Sequence, residues 1–129
     1  MRTVPAVLLA GLAAASGPCW AGALQDCAGE TRVVRCLEYA KQQATEQMLE
    51  RFLEVKEALT ALGGRRAEQA DDALKQSQRA FERYLADHCN GLESMLGDGS
   101  AAGLACETDL LRERAKTLEA IDLGKQRRL

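Results

Sequence analysis

The sequence has little of what a β-sheet requires. Aromatic residues make up only 4% of the 129 positions, and apolar and polar residues nowhere alternate over more than three positions. Half-buried strands show that alternation and are rich in aromatic and β-branched residues. The sequence therefore predicts an all-α fold.

The motifs of the common catalytic and cofactor-binding sites are also missing. No G-x-S-x-G, P-loop, G-x-G-x-x-G or C-x-x-C-H motif occurs, and the cysteine spacing lacks the C-x-x-C of zinc sites. His88 is the only histidine. Its neighbour Cys89 is expected to be oxidised, whereas a catalytic cysteine needs a free thiolate. The sequence thus predicts a protein that is not an enzyme and holds no metal or cofactor.

The balance of charge argues against a nucleic-acid partner. The chain has 17 basic and 19 acidic residues, and the basic ones are scattered rather than gathered into a patch. We therefore expect no nucleic-acid binding.

The N-terminal 23 residues are typical of a secretory signal peptide. Arg2 gives a positive start, residues 7–15 form an apolar core, and Ala21, Gly22 and Ala23 supply small residues for cleavage. Cleavage is expected after Ala23, with Ala21 as the alternative. The apolar run is shorter than the roughly 20 residues of a membrane span, so no stable membrane insertion is expected. The sequence predicts export to the periplasm or the exterior and one domain over residues 24–129.

Loss of the signal changes the charge and the cysteine count. Without Arg2 the chain has 16 basic against 19 acidic residues, a net charge of −3. An even number of cysteines in a short exported chain indicates disulfides. We favour two local pairs, because each encloses a segment rich in turn-forming residues. The two other pairings would join the N-terminus to the glycine-rich region. The cysteines that remain are Cys27, Cys36, Cys89 and Cys106.

Apolar residues at helical spacing predict three helices. The first covers residues 31–62, and Gly63-Gly64 then ends it in a turn. The second covers residues 65–89, and the short connection predicts an antiparallel hairpin. A third helix follows and ends at Gly124. The predicted stripes are Val33, Leu37, Ala40, Ala44, Met48, Phe52, Val55, Leu59 and Leu62; Ala70, Ala73, Leu74, Ser77, Phe81 and Leu85; and Leu104, Leu111, Leu118 and Ile121.

Between Cys89 and Cys106 the sequence predicts a long glycine-rich loop. A disulfide at its base would limit the entropy cost of ordering four glycines and fix the direction of the loop. Two interpretations stay open: a clamped connector between helices, or a displayed loop that binds a partner.

The order of several motifs resembles a known family. Two cysteines nine positions apart open the pattern, "QRAF" at residues 78–81 and Asp87 precede Cys89, and "DGS" at residues 98–100 precedes Cys106. This order is similar to that of the LprI-type lysozyme-inhibitor domain over about residues 27–120. Phe81 stands where the family has tryptophan. The matching helix positions are Gln78, Arg79, Phe81, Asp87 and Arg114.

The resemblance implies a helical protein of the bacterial periplasm or exterior, with the local disulfides favoured above. It also implies a non-catalytic protein that inhibits lysozyme by steric blockade of the enzyme's cleft. The candidate binding loop is Gly97, Asp98, Gly99 and Ser100, with the Asp98 carboxylate offered to a basic enzyme. The alternative is a structural or protein-interaction module of the cell envelope, with another envelope protein as its partner.

Overall fold

The computed structural model describes residues 21–96 and 100–121, and nearly all of these residues lie in four helices. They are α1 (Ala21–Asp26), α2 (Val33–Leu62), α3 (Gly64–Leu96) and α4 (Ser100–Glu119). No strand occurs within the described residues. The predicted all-α fold, a long hairpin plus a further helix, is confirmed, and α1 is an additional short helix that the sequence pattern did not predict. Within the described ranges no helix is long and apolar enough to cross a membrane.

Helix α2 and the turn after it follow the predicted pattern. The predicted apolar residues recur every three or four positions along α2, and they form the face that the helix buries. Leu37, Met48 and Val55 are among the buried ones. Gly63 and Gly64 both have positive φ, 59° and 86°, a conformation that costs glycine little and other residues more. The Gly63 N–H donates to the Leu59 carbonyl oxygen at 3.1 Å, which caps the helix end.

Helix α3 is longer than predicted, whereas α4 begins earlier than predicted and also ends earlier, at Glu119 rather than at Gly124. Helix α3 continues past Cys89 to Leu96, and α4 begins at Ser100, so the prediction of a long loop between Cys89 and Cys106 is wrong. An interior glycine costs a helix only about 1 kcal/mol relative to alanine, and Gly103 has a packing role. An added Cβ there would lie 2.9 Å from Glu93 Oε2, so the Glu93 carboxylate of α3 occupies the space that the missing side chain leaves on α4.

Helix α4 packs against all three other helices. It runs antiparallel to α3, because Cys106 pairs with Cys89 and Arg114 lies beside Gln78. It therefore runs from the open end of the hairpin, where α2 begins and α3 ends, towards the Gly63–Gly64 turn. The main core cluster consists of buried residues of α2, α3 and α4, namely Ala44, Met48, Val55, Leu59, Leu74, Leu111, Ala115 and Leu118.

The predicted stripe of α3 is correct only in part. Leu74 is buried and Phe81 and Leu85 pack on the core, but Ala70, Ala73 and Ser77 are exposed. Helix α4 approaches α3 on the side of Gln78, which is buried instead. Among the described residues, α4 ends at Glu119, and the first turns of α3 pack mainly against α2, which covers one narrow line of α3.

A second, smaller core cluster fastens α1 to the open end of the hairpin. Its buried members are Ala23, Cys27, Leu37 and Ala105. The Cys27–Cys36 disulfide, with Cα atoms 5.8 Å apart, ties α1 to the first turn of α2. Most of the predicted signal peptide lies outside the described residues, but its last three residues form the start of α1.

Candidate functional site

The helix ends that flank residues 97–99 form the first candidate site, here called the clamped end: the last two turns of α3, residues 89–96, and the first two turns of α4, residues 100–106. The Cys89–Cys106 disulfide joins them with Cα atoms 5.5 Å apart, and both cysteines are buried. With Cys27–Cys36 this confirms the predicted pairing. The disulfide fixes the two helix ends relative to each other.

Two large apolar side chains are exposed at the clamped end. Met95 is 75% exposed and Leu96 is 56% exposed, in the last turn of α3. Adjacent exposed apolar residues mark interaction surfaces when polar groups surround them, and methionine adapts its shape to a partner. The clamped end therefore offers a small, adaptable apolar contact on a rigid support.

Three of the four predicted loop residues, Gly97, Asp98 and Gly99, lie outside the described residues. Ser100 is the first residue of α4. The clamped end therefore holds the candidate segment from both sides, through the last turn of α3 and the first turn of α4.

The family-like positions on the helices meet in one polar cluster, here called the Arg114 cluster. Arg114 donates from Nε to Gln78 Oε1 at 3.2 Å and from Nη2 to Ser77 Oγ at 3.1 Å. Its guanidinium lies 5.6 Å from the centre of the Phe81 ring. The Gln78 amide nitrogen also donates to Met48 Sδ at 3.3 Å, so the cluster links α2, α3 and α4.

Burial lowers the pKa of Arg114, although the group remains charged at any physiological pH. Two further predicted positions, Arg79 and Asp87, are exposed on α3 and lie outside the Arg114 cluster. The structure therefore brings together three of the five family-like helix positions. This cluster is best described as a structural bridge between helices, because its polar side chains hydrogen-bond mainly to one another.

Arg114→Ala is expected to lower the free energy of unfolding by about 1–2 kcal/mol. The change removes the contact with the Phe81 ring and leaves Gln78 Oε1 without its donor. Urea denaturation followed by circular dichroism measures the loss. Arg79→Ala, an exposed arginine on α3, is the matched control and should change stability by less than about 0.5 kcal/mol. Equal losses for the two variants would contradict the bridging role.

Asp109 is a buried carboxylate that the sequence analysis did not single out. It is 5% exposed, and its Oδ1 accepts a hydrogen bond from the Ala23 N–H at 3.0 Å. Burial raises the pKa of Asp109, while the Ala23 N–H and Arg112 oppose that shift. The sequence signal was a polar pair, Thr108 and Asp109, between the apolar positions Leu104 and Leu111 of α4.

His88 and Cys89 do not form a catalytic pair. The Cys89 sulfur is bonded to Cys106, and the His88 ring stacks on Tyr84 with centroids 5.1 Å apart. A thiolate nucleophile is therefore absent at this position. In the described part of the chain no three histidine, cysteine or acidic side chains are placed to hold a metal ion.

A family model described as "Lysozyme inhibitor LprI" matches residues 24–118. The match covers α2, α3 and both disulfides, together with all but the last residue of α4. No curated protein and no solved structure matches the chain.

Proposed function

The chain belongs to the LprI lysozyme-inhibitor family, and on that premise we propose that it is a non-catalytic protein of the bacterial periplasm or exterior that inhibits lysozyme. The family match over residues 24–118 is the observation that carries the proposal. The inhibition is steric: the bound protein covers the catalytic cleft, and no bond is made or broken.

The clamped end is the surface that enters the cleft in this proposal. Residues 97–100 are the contact segment, and Met95 and Leu96 add apolar contact area beside it. Because the Cys89–Cys106 disulfide already orders both flanking helix ends, those helix ends lose little conformational entropy on binding.

Charge supports the encounter with a basic enzyme. The exported chain has a net charge of −3, and Asp98 contributes a carboxylate within the contact segment. Opposite charges on two partners raise the association rate more than the final affinity. Inhibition should therefore set in more slowly at high salt.

Lysozyme inhibition by the purified, oxidised protein tests the proposal. The rate at which lysozyme clears a bacterial cell-wall suspension is measured against rising concentrations of the protein, for several lysozymes. We expect a saturable loss of activity for at least one of them. Full activity of every lysozyme at protein concentrations far above that of the enzyme would refute the proposed function.

Asp98→Ala together with Ser100→Ala is expected to raise the inhibition constant about tenfold or more. Loss of a charge-assisted hydrogen bond removes about 1.5–3 kcal/mol, and 1.4 kcal/mol corresponds to a factor of ten. The thermal midpoint should stay unchanged. Asp72→Ala, an exposed aspartate near the hairpin turn, is the control and should leave the inhibition constant as it is. Unchanged potency of the double variant would move the binding surface away from this segment.

A second candidate function is a protein-interaction module of the cell envelope. Leu49 and Leu53 favour it, because both are about half exposed and lie one turn apart on α2. Chemical cross-linking in envelope preparations should then give an adduct that the variant Leu49→Ser, Leu53→Ser no longer forms. The same adduct in both proteins would exclude this face as the contact.

A further inference from the structure

We propose that signal peptidase hydrolyses the peptide bond between Ala21 and Gly22, and that the new α-ammonium group of Gly22 pairs with the buried carboxylate of Asp109. The proposal selects the alternative cleavage position over the one favoured from the sequence. It rests on the proposed export of the chain and is independent of lysozyme inhibition.

Ala23 belongs to the folded domain. It is fully buried in the smaller core cluster with Cys27, Leu37 and Ala105. Cleavage after Ala23 would remove this methyl group from the core and leave a cavity. It would also remove the backbone N–H that donates to Asp109 Oδ1. A mature chain that begins at Gly22 keeps both.

Within the described residues, the positive partner of Asp109 is distant and shared. Asp109 Oδ2 is buried and has no hydrogen-bond partner within the described residues. Arg112 Nη1 lies 3.9 Å from Asp109 Oδ1 but is bound to Asp26 Oδ2 at 2.8 Å. A buried carboxylate with one oxygen unsatisfied is costly. An ammonium group would supply both the positive charge and the missing donor.

Gly22 places the amino group of a chain cleaved after Ala21 beside that carboxylate. A Cβ added to Gly22 would lie 3.2 Å from Asp109 Oδ1, and the Gly22 nitrogen is bonded to the same Cα atom. Gly22 itself is exposed, so the amino group lies at the rim of the buried site. Once the preceding carbonyl is gone, rotation about the Gly22 Cα–C bond lets the ammonium group take the position of that Cβ, about 3.2 Å from Asp109 Oδ1.

The cleavage step consumes one water molecule. Water adds across the Ala21–Gly22 amide bond, the signal peptide leaves with the Ala21 carboxylate, and the Gly22 amine takes up a proton. Ala21 and Cys19 occupy the first and third positions before this bond, where signal peptidases require small residues. The precursor is cleaved before α1 packs onto α4.

The intact mass of the protein exported from cells with its own signal is the first test. The expected mass corresponds to a chain that begins at Gly22 with both disulfides formed. A chain that begins at Leu24, which is lighter by one glycine and one alanine residue, would overturn the proposal, as would an uncleaved chain. Neither result depends on whether the protein inhibits lysozyme.

The reactivity of the α-amino group tests the ion pair separately. At neutral pH an acylating reagent should modify Gly22 about tenfold more slowly in the folded protein than in urea, because pairing keeps the amine protonated and a shift of one pKa unit changes the free amine tenfold. Asp109→Asn should raise the folded-state rate, whereas the exposed control Asp72→Asn should not. Equal rates in the folded and unfolded wild-type protein would refute the pair, whatever happens to the folding of the variant.

Discussion

Replacing Cys89 and Cys106 together with alanine is expected to lower the free energy of unfolding by about 3 kcal/mol and to weaken lysozyme inhibition strongly. The disulfide spans 17 positions, and closing a loop near this length restricts the unfolded chain by about that amount. In the folded protein its loss lets the ends of α3 and α4 separate, so residues 97–100 lose their fixed support.

The matched control is the alanine replacement of Cys27 and Cys36. That disulfide spans only 9 positions, and loop closure alone makes its loss about 0.5 kcal/mol smaller. It joins the end of α1 to α2 and leaves α3 and α4 linked by Cys89–Cys106, although Ala101 and Leu104 of the clamped end pack against the same core cluster. Inhibition measured at a temperature where the variant is fully folded should therefore persist. Guanidinium denaturation and the cell-wall assay measure the two effects. If both double variants inhibit as well as the wild type, the clamped end is not the inhibitory surface.

Leu118→Ala is expected to lower the free energy of unfolding by about 2–5 kcal/mol, the range for large-to-small changes in a core. Leu118 is 1% exposed and lies in the main core cluster with residues of α2 and α3. Truncation leaves a cavity where α4 packs into the hairpin. The loss should appear as a lower urea concentration at the unfolding midpoint, while the dependence of the unfolding free energy on urea concentration stays the same.

Leu53→Ala is the matched control for Leu118→Ala. Leu53 is 55% exposed on α2, and the same chemical change there should cost less than about 0.5 kcal/mol. Similar losses at the two positions would contradict the packing of α4 in the hairpin groove. Because Leu118 is far along α4 from Ser100, inhibition at low temperature should persist in the folded fraction of both variants.

The sequence identified individual residues of the candidate sites, but it did not predict which of them come into contact. The segment from Gly97 to Ser100 was chosen from its glycines and from the flanking cysteines, and its role stays a prediction. The meeting of Gln78, Phe81 and Arg114 depends on how α4 crosses α3, and no local pattern specifies that contact. Arg79 and Asp87 share the family-like pattern but are exposed, because sequence spacing on one helix does not determine which face a third helix covers.

The sequence by itself determined the helical class and the Gly63–Gly64 hairpin turn, and it favoured the two local disulfides over the two other pairings. These features depend on apolar spacing, on the left-handed preference of glycine and on short-range cysteine pairs, all of which act between residues close in the chain. Only the tertiary structure decided that α3 and α4 continue through Gly91 and Gly103, since the small penalty of a glycine inside a helix is outweighed once α3 and α4 pack together. It also decided that the Ala23 N–H meets Asp109, 86 positions away. Such a contact forms only when separate helices share a core.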